Sequence, residues 1–393
     1  MQLLHRVVAR VLALLVLLAA AAVPAQQGNT IRLGQTLPLS GPLTELGTEY
    51  RDGAQTYFKW INSKGGVHGR KVELLTLDDG YVVDRTAENA KKLLDEDVFA
   101  FFGMFGSANY AALLPLINER GIPSIAPYTG ADSLRSANSP TTFWLRASYG
   151  DETEKIVDQL TTLGINRIAV FYQDDAFGKA GLAGVENALA KRKLKVLATG
   201  VYDKTKNDVG SAVKAIGVAD PQAVVMISTY KPTAAFVKQM RLSGKLPQFF
   251  ALSVVGVKAL NAELGAESAG IAISQVVPFP DSATAPVVRE MRQLPAEMLP
   301  PAGITYTTLE GYIAARVAVE GLRRAGPNPS REKFVSALES LKDYDVGGFP
   351  VNYAGGSRLG SRFAEVTIVV SSGSTTAVTT CTSAIPPFVA QVL

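Results

Sequence analysis

The stretch that decides the fold is residues 31–79, IRLGQTLPLSGPLTELGTEYRDGAQTYFKWINSKGGVHGRKVELLTLDD. Residues 31–37 alternate apolar and polar side chains as a strand does, and Ser40-Gly41-Pro42 ends that strand in a turn. Residues 44–63 carry apolar side chains at helical spacing, and residues 71–77 have the pattern of a second strand. This predicts a strand–helix–strand unit, whose loops lie where open α/β sheets bind ligands. The first loop lacks a phosphate-binding glycine pattern, so nothing here indicates a nucleotide.

The length and composition are typical of a folded protein with two domains. The chain has 393 residues, of which 47% are hydrophobic. Its formal charge of +4 falls to +2 when the two arginines of the first 25 residues are left out. That balance favours neither nucleic acid nor an anionic membrane as a partner. The single cysteine, Cys381, allows no intrachain disulfide.

The first 25 residues predict a cleaved signal peptide. Arg6 and Arg10 precede an unbroken apolar run, Val11 to Val23, and small residues surround a cleavage site after Ala25. The run is shorter than the ~20 residues of a membrane-spanning helix, and no cysteine follows it to carry a lipid. We therefore expect export to the periplasm as a soluble protein.

Beyond Asp79 the alternation of strands and helices continues over most of the chain. Such alternation predicts an α/β architecture of doubly wound parallel sheets with helices on both faces. Breaks near residues 147–150 and 276–280 divide it into two lobes. The expected boundaries are residues 28–147 with 277–343 for lobe 1, 148–276 with 344–370 for lobe 2, and 371–393 for a flexible tail. Four further predictions are a helix over 285–298 and strands over 122–126, 143–147 and 195–201.

The sequence offers little to a catalytic site. His5 lies in the predicted signal peptide and His68 in a turn, and no Gly-x-Ser-x-Gly motif is present. Two histidines and one cysteine are too few for a metal cluster of those residues. The pairs Asp78-Asp79 and Asp174-Asp175 follow strands, where turn residues and helix caps are commoner than acid–base pairs. We expect no enzyme activity, no cofactor and no metal.

Loops after the strands are better candidates for a binding site. Ser107 lies in the loop between the strand at 98–102 and a helix predicted over 108–120, so its hydroxyl and the free N–H groups at the helix start can hold a carboxylate. The same hydroxyl can simply cap its own helix. Thr129 lies in a loop of small residues that allows close backbone approach. Aromatic residues in 172–178 and 228–231 either wall an apolar pocket or belong to the core.

Six short sequence motifs follow one another along the chain. They are Leu39-Ser40-Gly41-Pro42, Ile61-Asn62-x-x-Gly65-Gly66-Val67-x-Gly69-Arg70, Asp78-Asp79, Arg167-Ile168-Ala169-Val170, Phe177-Gly178 and Leu309-Glu310-Gly311-Tyr312-x-Ala314. Together they resemble the periplasmic leucine/isoleucine/valine-type binding proteins, the solute receptors of branched-chain amino-acid ABC importers. The resemblance spans about residues 31–370. It implies the type I periplasmic binding protein fold, in which two α/β lobes joined by three crossovers close on a ligand.

The resemblance also implies a ligand site shared by the lobes. In that family a serine matching Ser107 and the loop matching 128–130 hold the ligand carboxylate, and aromatic residues matching Phe177 and Tyr230 cover it. Leu46 matches a position that is often aromatic. The predicted ligand-binding residues are Leu46, Ser107, Tyr128, Thr129, Gly130, Phe177, Tyr230, Ser253 and Ile304.

One departure from the family pattern concerns the ligand's charge. Amino-acid binders of that family usually place an acidic residue after the strand that matches residues 249–253, where it holds the ligand ammonium. Here the segment is Leu252-Ser253-Val254-Val255-Gly256, without a carboxylate. A buried ammonium without a negative partner is unfavourable. Either Glu45, Asp175 or Glu310 supplies the charge, or the ligand is not a simple α-amino acid.

These observations predict a monomeric receptor that captures a small carboxylate-bearing ligand. The first candidate ligand is an amino acid of the branched-chain or hydrophobic type, delivered to an ABC permease in the inner membrane. One alternative is a periplasmic sensor that presents its ligand to a membrane signalling protein. Another is a different solute, such as an aromatic or aliphatic acid or an amide.

Overall fold

The computed structural model describes residues 30–135, 139–206, 208–370 and, for the backbone, 375–377. The predicted signal peptide and Cys381 lie outside these ranges. The strands are β1 (Thr30–Leu37), β2 (Lys71–Asp78), β3 (Ala100–Phe102), β4 (Ser124–Ile125), β5 (Thr142–Phe143), β6 (Ile168–Gln173), β7 (Thr199–Tyr202), β8 (Ala223–Ile227), β9 (Gln248–Ala251), β10 (Ala272–Gln275), β11 (Tyr344–Asp345), β12 (Pro350–Val351), β13 (Glu365–Val369) and β14 (Thr375–Ala377). The α-helices are α1 (Thr44–Ser63), α2 (Val83–Asp95), α3 (Ser107–Arg120), α4 (Tyr149–Thr162), α5 (Ala176–Ala190), α6 (Gly210–Ala219), α7 (Tyr230–Leu242), α8 (Val257–Leu264), α9 (Pro286–Arg292), α10 (Tyr306–Ala325) and α11 (Arg331–Glu339). No helix within the described ranges has both the length and the hydrophobicity of a membrane span.

The first sheet is parallel and has the order β2-β1-β3-β4-β5. β1 pairs with β2 along its whole length, from Thr30 opposite Lys71 to Leu37 opposite Asp78. Helices α1 and α10 cross with their backbones in contact. A Cβ atom added at Gly53 would lie 1.9 Å from the Thr308 carbonyl oxygen, so only glycine fits at this crossing. The deciding stretch therefore forms the predicted strand–helix–strand unit.

The second sheet has the order β14-β13-β10-β9-β8-β6-β7. Strands β10, β9, β8, β6 and β7 run parallel, and the uninterrupted apolar run of β8 is buried on both faces. Strand β13 is antiparallel to β10, and β14 is antiparallel to β13. Thr375–Ala377, which lie within the predicted flexible tail, extend this sheet as β14.

Local chain chemistry explains where other predictions differ. The helix predicted over 285–298 ends at Arg292, because Pro295 removes a backbone donor, and only a short 3-10 turn follows it. The strands predicted over 122–126 and 143–147 are only two residues long, and Ala126 leaves the strand conformation with φ 51°. The strand predicted over 195–201 begins only at Thr199.

The chain passes between the two sheets several times, and two of these passages pair with each other. The Trp144 N–H donates to the Arg358 carbonyl at 2.8 Å, and the Gly360 N–H donates to the Trp144 carbonyl at 2.7 Å. The β11–β12 hairpin, assigned to lobe 2 from the sequence, packs on helices beside α1. The Val287 N–H of α9 donates to the Gly347 carbonyl at 2.9 Å. The exact lobe boundaries stay a prediction.

Candidate functional site

A small cavity lies between the two lobes, at the carboxyl ends of their parallel strands. This is the edge at which open α/β sheets bind ligands, because the loops that follow the strands converge there. Seven of the lining residues, up to Tyr128 in the chain, come from the first lobe, and the other four, from Tyr149 on, come from the second. The lining residues are Leu43, Leu46, Tyr81, Phe105, Gly106, Ser107, Tyr128, Tyr149, Phe177, Thr229 and Val254.

One corner of the cavity is rich in hydroxyl groups. The hydroxyls of Ser107 and Thr129 are 2.7 Å apart and share a hydrogen bond, and the Ala131 N–H donates to Thr129 Oγ1 at 3.2 Å. Burial raises the pKa of Tyr149, against the opposing effects of the Arg146 charge and of hydrogen bonds with Ser107 and Thr129. The Tyr149 phenol is therefore protonated at neutral pH and can donate a hydrogen bond.

Gly130 allows this corner to form. The Tyr149 N–H donates to the Gly130 carbonyl at 2.7 Å. A Cβ atom at Gly130 would lie 2.4 Å from Tyr149 Cδ1, so any side chain there would displace the ring. Gly130 thus supports the site by close packing behind it.

Aromatic rings form most of the remaining wall. Phe105 and Tyr128 stack with centroids 4.5 Å apart and an angle of 10° between their planes. Tyr81 meets Phe105 edge to face at 6.2 Å, and Phe177 meets Tyr149 edge to face at 5.3 Å. Such rings bury large apolar area and hold it in a fixed shape. The cavity therefore suits a ligand with a hydrophobic body.

None of the eleven lining residues has a charged side chain. The three acids considered from the sequence lie elsewhere. Glu45 is exposed to solvent. Asp175 caps α5, where its Oδ1 accepts from the Phe177 N–H at 2.9 Å. Glu310 is buried in an ion pair with Arg146, with Oε1 and Nε 3.5 Å apart. Within the described ranges, no group of three or more His, Cys, Asp or Glu side chains is placed to hold a metal ion.

A buried charge cluster lies behind the cavity wall. The Arg146 guanidinium lies over the Tyr128 ring, 4.4 Å from its centroid, and 4.0 Å from Glu152 as well as 3.5 Å from Glu310. Burial raises the pKa of Glu310 to about 7, although the Arg146 charge opposes the shift. Glu152 lies on α4 and Glu310 on α10, so this cluster joins the two lobes.

Ser253 belongs to the same cluster. Its N–H donates to Glu152 Oε2 at 2.9 Å and its hydroxyl donates to Glu152 Oε1 at 3.1 Å. Arg146 also donates to the Ser253 hydroxyl. These contacts use the polar atoms of Ser253 away from the cavity, whereas its neighbour Val254 lines it.

Contacts between the lobes close the cavity on two sides. On one side, Gln173 Nε2 donates to the Tyr81 hydroxyl at 3.4 Å, and Lys204 Nζ lies 4.3 Å from the Tyr81 ring centroid. On the other side, Lys258 Nζ donates to the Ala302 carbonyl at 3.1 Å and lies 3.9 Å from Glu49. The structure therefore represents a closed arrangement of the lobes.

The predicted ligand-binding residues fall into three groups. Leu46, Ser107, Tyr128 and Phe177 line the cavity. Thr129 and Gly130 lie directly behind it, where they position Ser107 and Tyr149. The remaining three do not line it: Tyr230, Ser253 and Ile304. Their roles as ligand contacts stay a prediction.

Seven lining residues were not predicted as ligand contacts from the sequence: Leu43, Tyr81, Phe105, Gly106, Tyr149, Thr229 and Val254. Tyr81 follows Asp79 in a turn and has φ 65°, a conformation that a sequence pattern does not disclose for tyrosine. Tyr149 begins α4 directly after the capping box of Ser148 and Asp151. In the sequence, this capping box could have indicated that a helix starts at Tyr149. It could not have shown that the Tyr149 ring lies close to Ser107.

Two α/β lobes that close over a small cavity define the class of two-lobed solute-binding proteins. Residues 30–367 match the family model described as periplasmic binding protein, and the chain belongs to this family. Its members bind solutes and are not enzymes. The family resemblance and the α/β fold predicted from the sequence are thus confirmed.

Three similar proteins share between 26% and 35% of their aligned residues with this chain. A crystal structure of a substrate-binding periplasmic protein from Ralstonia solanacearum is 35% identical, with a TM-score of 0.83 over 88% of this chain and 99% of that one. The Leu/Ile/Val-binding protein BraC3 of Rhizobium johnstonii is 26% identical over 342 residues, 82% of this chain and 87% of that protein. Leu/Ile/Val-binding protein homolog 7 of Brucella abortus is 27% identical over 240 residues, 58% of this chain. This last match spans only 59% of the Brucella protein.

Proposed function

We propose that this chain captures a small carboxylate-bearing solute with a hydrophobic body and delivers it to an ABC import permease in the inner membrane. The observation that carries the proposal is the combination, in one cavity between the lobes, of a hydroxyl-rich corner and an aromatic wall. The free space inside the cavity is small, with about 20 Å³ open to the centre of a water-sized sphere. The solute is therefore small.

The hydroxyl-rich corner supports a carboxylate. Helix α3 begins at Ser107 and runs to Arg120, and its first N–H groups have no partner within the helix. The helix dipole favours negative charge at that end. The Ser107 and Tyr149 hydroxyls add donors beside it. A carboxylate would be held there by neutral donors, without a cationic side chain.

Delivery follows from closure of the lobes. A ligand held by groups from both lobes binds the closed form more tightly and shifts the open–closed equilibrium towards it. A permease that recognises the closed form then binds the receptor with its ligand. We also propose that the signal peptide directs export and is cleaved after Ala25. The mature protein then acts as a monomer.

Two ligand classes share a carboxylate and an apolar body. The names of the Rhizobium and Brucella relatives favour hydrophobic amino acids of the branched-chain type. The uncharged cavity lining favours carboxylic acids that lack an ammonium group. Both classes belong in the first screen.

Thermal shift with purified mature protein tests the proposal. A ligand at a hundredfold excess over its Kd stabilises the folded state by about 2.7 kcal/mol, which gives a measurable rise in Tm. We expect such a rise with at least one hydrophobic carboxylate at millimolar concentration. If no hydrophobic amino acid or carboxylic acid changes the Tm, the proposal is wrong.

A further inference from the structure

We infer that the solute is a hydrophobic carboxylic acid that carries no ammonium group, so that the receptor discriminates against α-amino acids. This inference rests on the proposed function and specifies its ligand. It is carried by the distribution of charge around the cavity, whose lining offers donors for an anion and contains no carboxylate for a cation.

An ammonium group in the closed cavity would have no anionic partner. Three buried or half-buried acids lie within three residues of a lining residue, and all are already engaged. Asp79 accepts from Thr36, Thr86 and the Tyr81 N–H, Glu152 pairs with Arg146, and Asp175 caps the start of α5. A buried charge that is neither paired nor solvated is strongly unfavourable. An amino acid would therefore have to break one of these interactions or bind with its ammonium unpaired.

Aromatic faces are the other common partner of an ammonium, through cation–π contact. Here protein cations already lie over two of the five lining rings, Tyr128 and Tyr81. Tyr128 has Phe105 stacked on one face at 4.5 Å and the Arg146 guanidinium at 4.4 Å, which therefore covers the opposite face. Lys204 lies 4.3 Å from the centroid of Tyr81.

The cavity consequently meets the edge of Tyr128 rather than its faces. The edge of an aromatic ring is the positive part of its quadrupole, whereas the face is negative. This arrangement suits a carboxylate or an apolar group and opposes a cation. Both this arrangement and the hydrogen-bond donors at the start of α3 favour an anionic ligand group.

Val254 is the residue that most directly sets this preference. It is nearly buried, follows β9 in a short 3-10 turn, and lines the cavity from the second lobe. A longer acidic side chain at this position would place a carboxylate in the wall without altering the α3 corner. Val254 is therefore the position at which an ammonium site can be introduced.

The first experiment compares matched ligand pairs by isothermal titration calorimetry with the wild-type protein. Each pair differs only in the α-ammonium group: 4-methylpentanoate with leucine, 3-methylbutanoate with valine, and 3-phenylpropanoate with phenylalanine. We expect at least one acid to bind, and its amino-acid partner to bind at least ~100-fold more weakly. Amino acids that bind as well as the acids would overturn the inference and leave the proposed function intact. If neither kind of ligand binds, the proposed function itself is wrong.

The second experiment uses Val254→Glu, with Val254→Gln as a control of similar size and no charge. We expect V254E to gain affinity for the amino acid and lose affinity for the acid, each by at least ~10-fold relative to V254Q. Equal preferences in the two folded variants would contradict the assigned role of Val254. Since the wild-type comparison needs no variant, the inference stays testable even if V254E does not fold.

Discussion

The guanidinium of Arg146 lies 4.4 Å from the centroid of the Tyr128 ring, so a buried positive charge lies directly behind the wall of the cavity. The same guanidinium is 4.0 Å from Glu152 of one lobe and 3.5 Å from Glu310 of the other. Through Tyr128, the shape of the ligand cavity therefore depends on a charge cluster that spans both lobes.

Arg146→Gln should strongly destabilise the fold. The change leaves Glu152 and Glu310 buried without their cation, and removing one partner of a buried ion pair costs about 3–5 kcal/mol. Urea unfolding followed by circular dichroism measures the loss. Arg362→Gln is the control, because Arg362 forms an exposed ion pair with Asp151 that contributes at most about 1 kcal/mol. Equal losses in both variants would contradict the structural importance of the cluster.

Glu310 should make stability depend on pH. Burial raises its pKa to about 7 from the ordinary value of 4.5, so the folded protein binds the proton more tightly than the unfolded chain does. The resulting stabilisation is complete below pH 4.5 and is lost as the pH rises through about 7.

Glu310→Gln imitates the protonated side chain and should remove this dependence. The unfolding free energy of the wild type, relative to that of E310Q, is expected to fall between pH 4.5 and 7 and to stay low above it. Urea titrations at several pH values provide the comparison. Parallel curves for the two proteins would show that Glu310 does not titrate in this range.

Ser107→Ala should weaken ligand binding. A hydrogen bond to a charged group contributes about 1.5–3 kcal/mol, so the loss of the Ser107 hydroxyl should raise Kd by at least tenfold. Calorimetry with the acid identified in the screen measures this change. Ser330→Ala is the matched control, because Ser330 caps α11 away from the cavity and accepts from the Lys333 N–H. It should lower stability by about 1 kcal/mol and leave Kd unchanged. An unaltered Kd in S107A would place the carboxylate elsewhere.

Lys258→Ala should speed ligand release. Lys258 Nζ connects the lobes through the Ala302 carbonyl at 3.1 Å and Glu49 at 3.9 Å. Because the Lys258 side chain is half exposed, we expect only a roughly two- to fivefold rise in the dissociation rate. Stopped-flow measurements can detect this rise. Lys245→Ala, which removes an ion pair with Asp220 inside the second lobe, should leave the rate unchanged. A rate in K258A equal to that of wild type would mean that this contact does not hold the lobes closed.

Sequence periodicity was sufficient to predict the α/β architecture. Local patterns predicted the strand–helix–strand unit from Ile31 to Asp79, the alternation of strands and helices after it, and the position of Ser107 beside the start of α3. Short strands were less predictable. Ser124–Ile125 and Thr142–Phe143 are defined by pairing partners distant in sequence, which no local window contains.

The cavity itself was only half predictable. Ser107 and Phe177 follow strands and were found for that reason. Tyr149 reaches the cavity because Gly130 leaves room for its ring, a tertiary relation between two loops. Ser253 hydrogen-bonds with the buried pair of Arg146 and Glu152, and its predicted role at the ligand stays a prediction. Such contacts with a buried charge pair are not visible in sequence.

Trp144 gives the closure of the lobes an optical consequence. Its backbone pairs with residues 358 and 360 where two chain passages between the lobes meet, and its ring is almost fully buried beside Tyr110. The chain has only two tryptophans. Any rotation at this crossing therefore alters the surroundings of one of only two indoles, and intrinsic fluorescence can follow opening and closing without an attached dye.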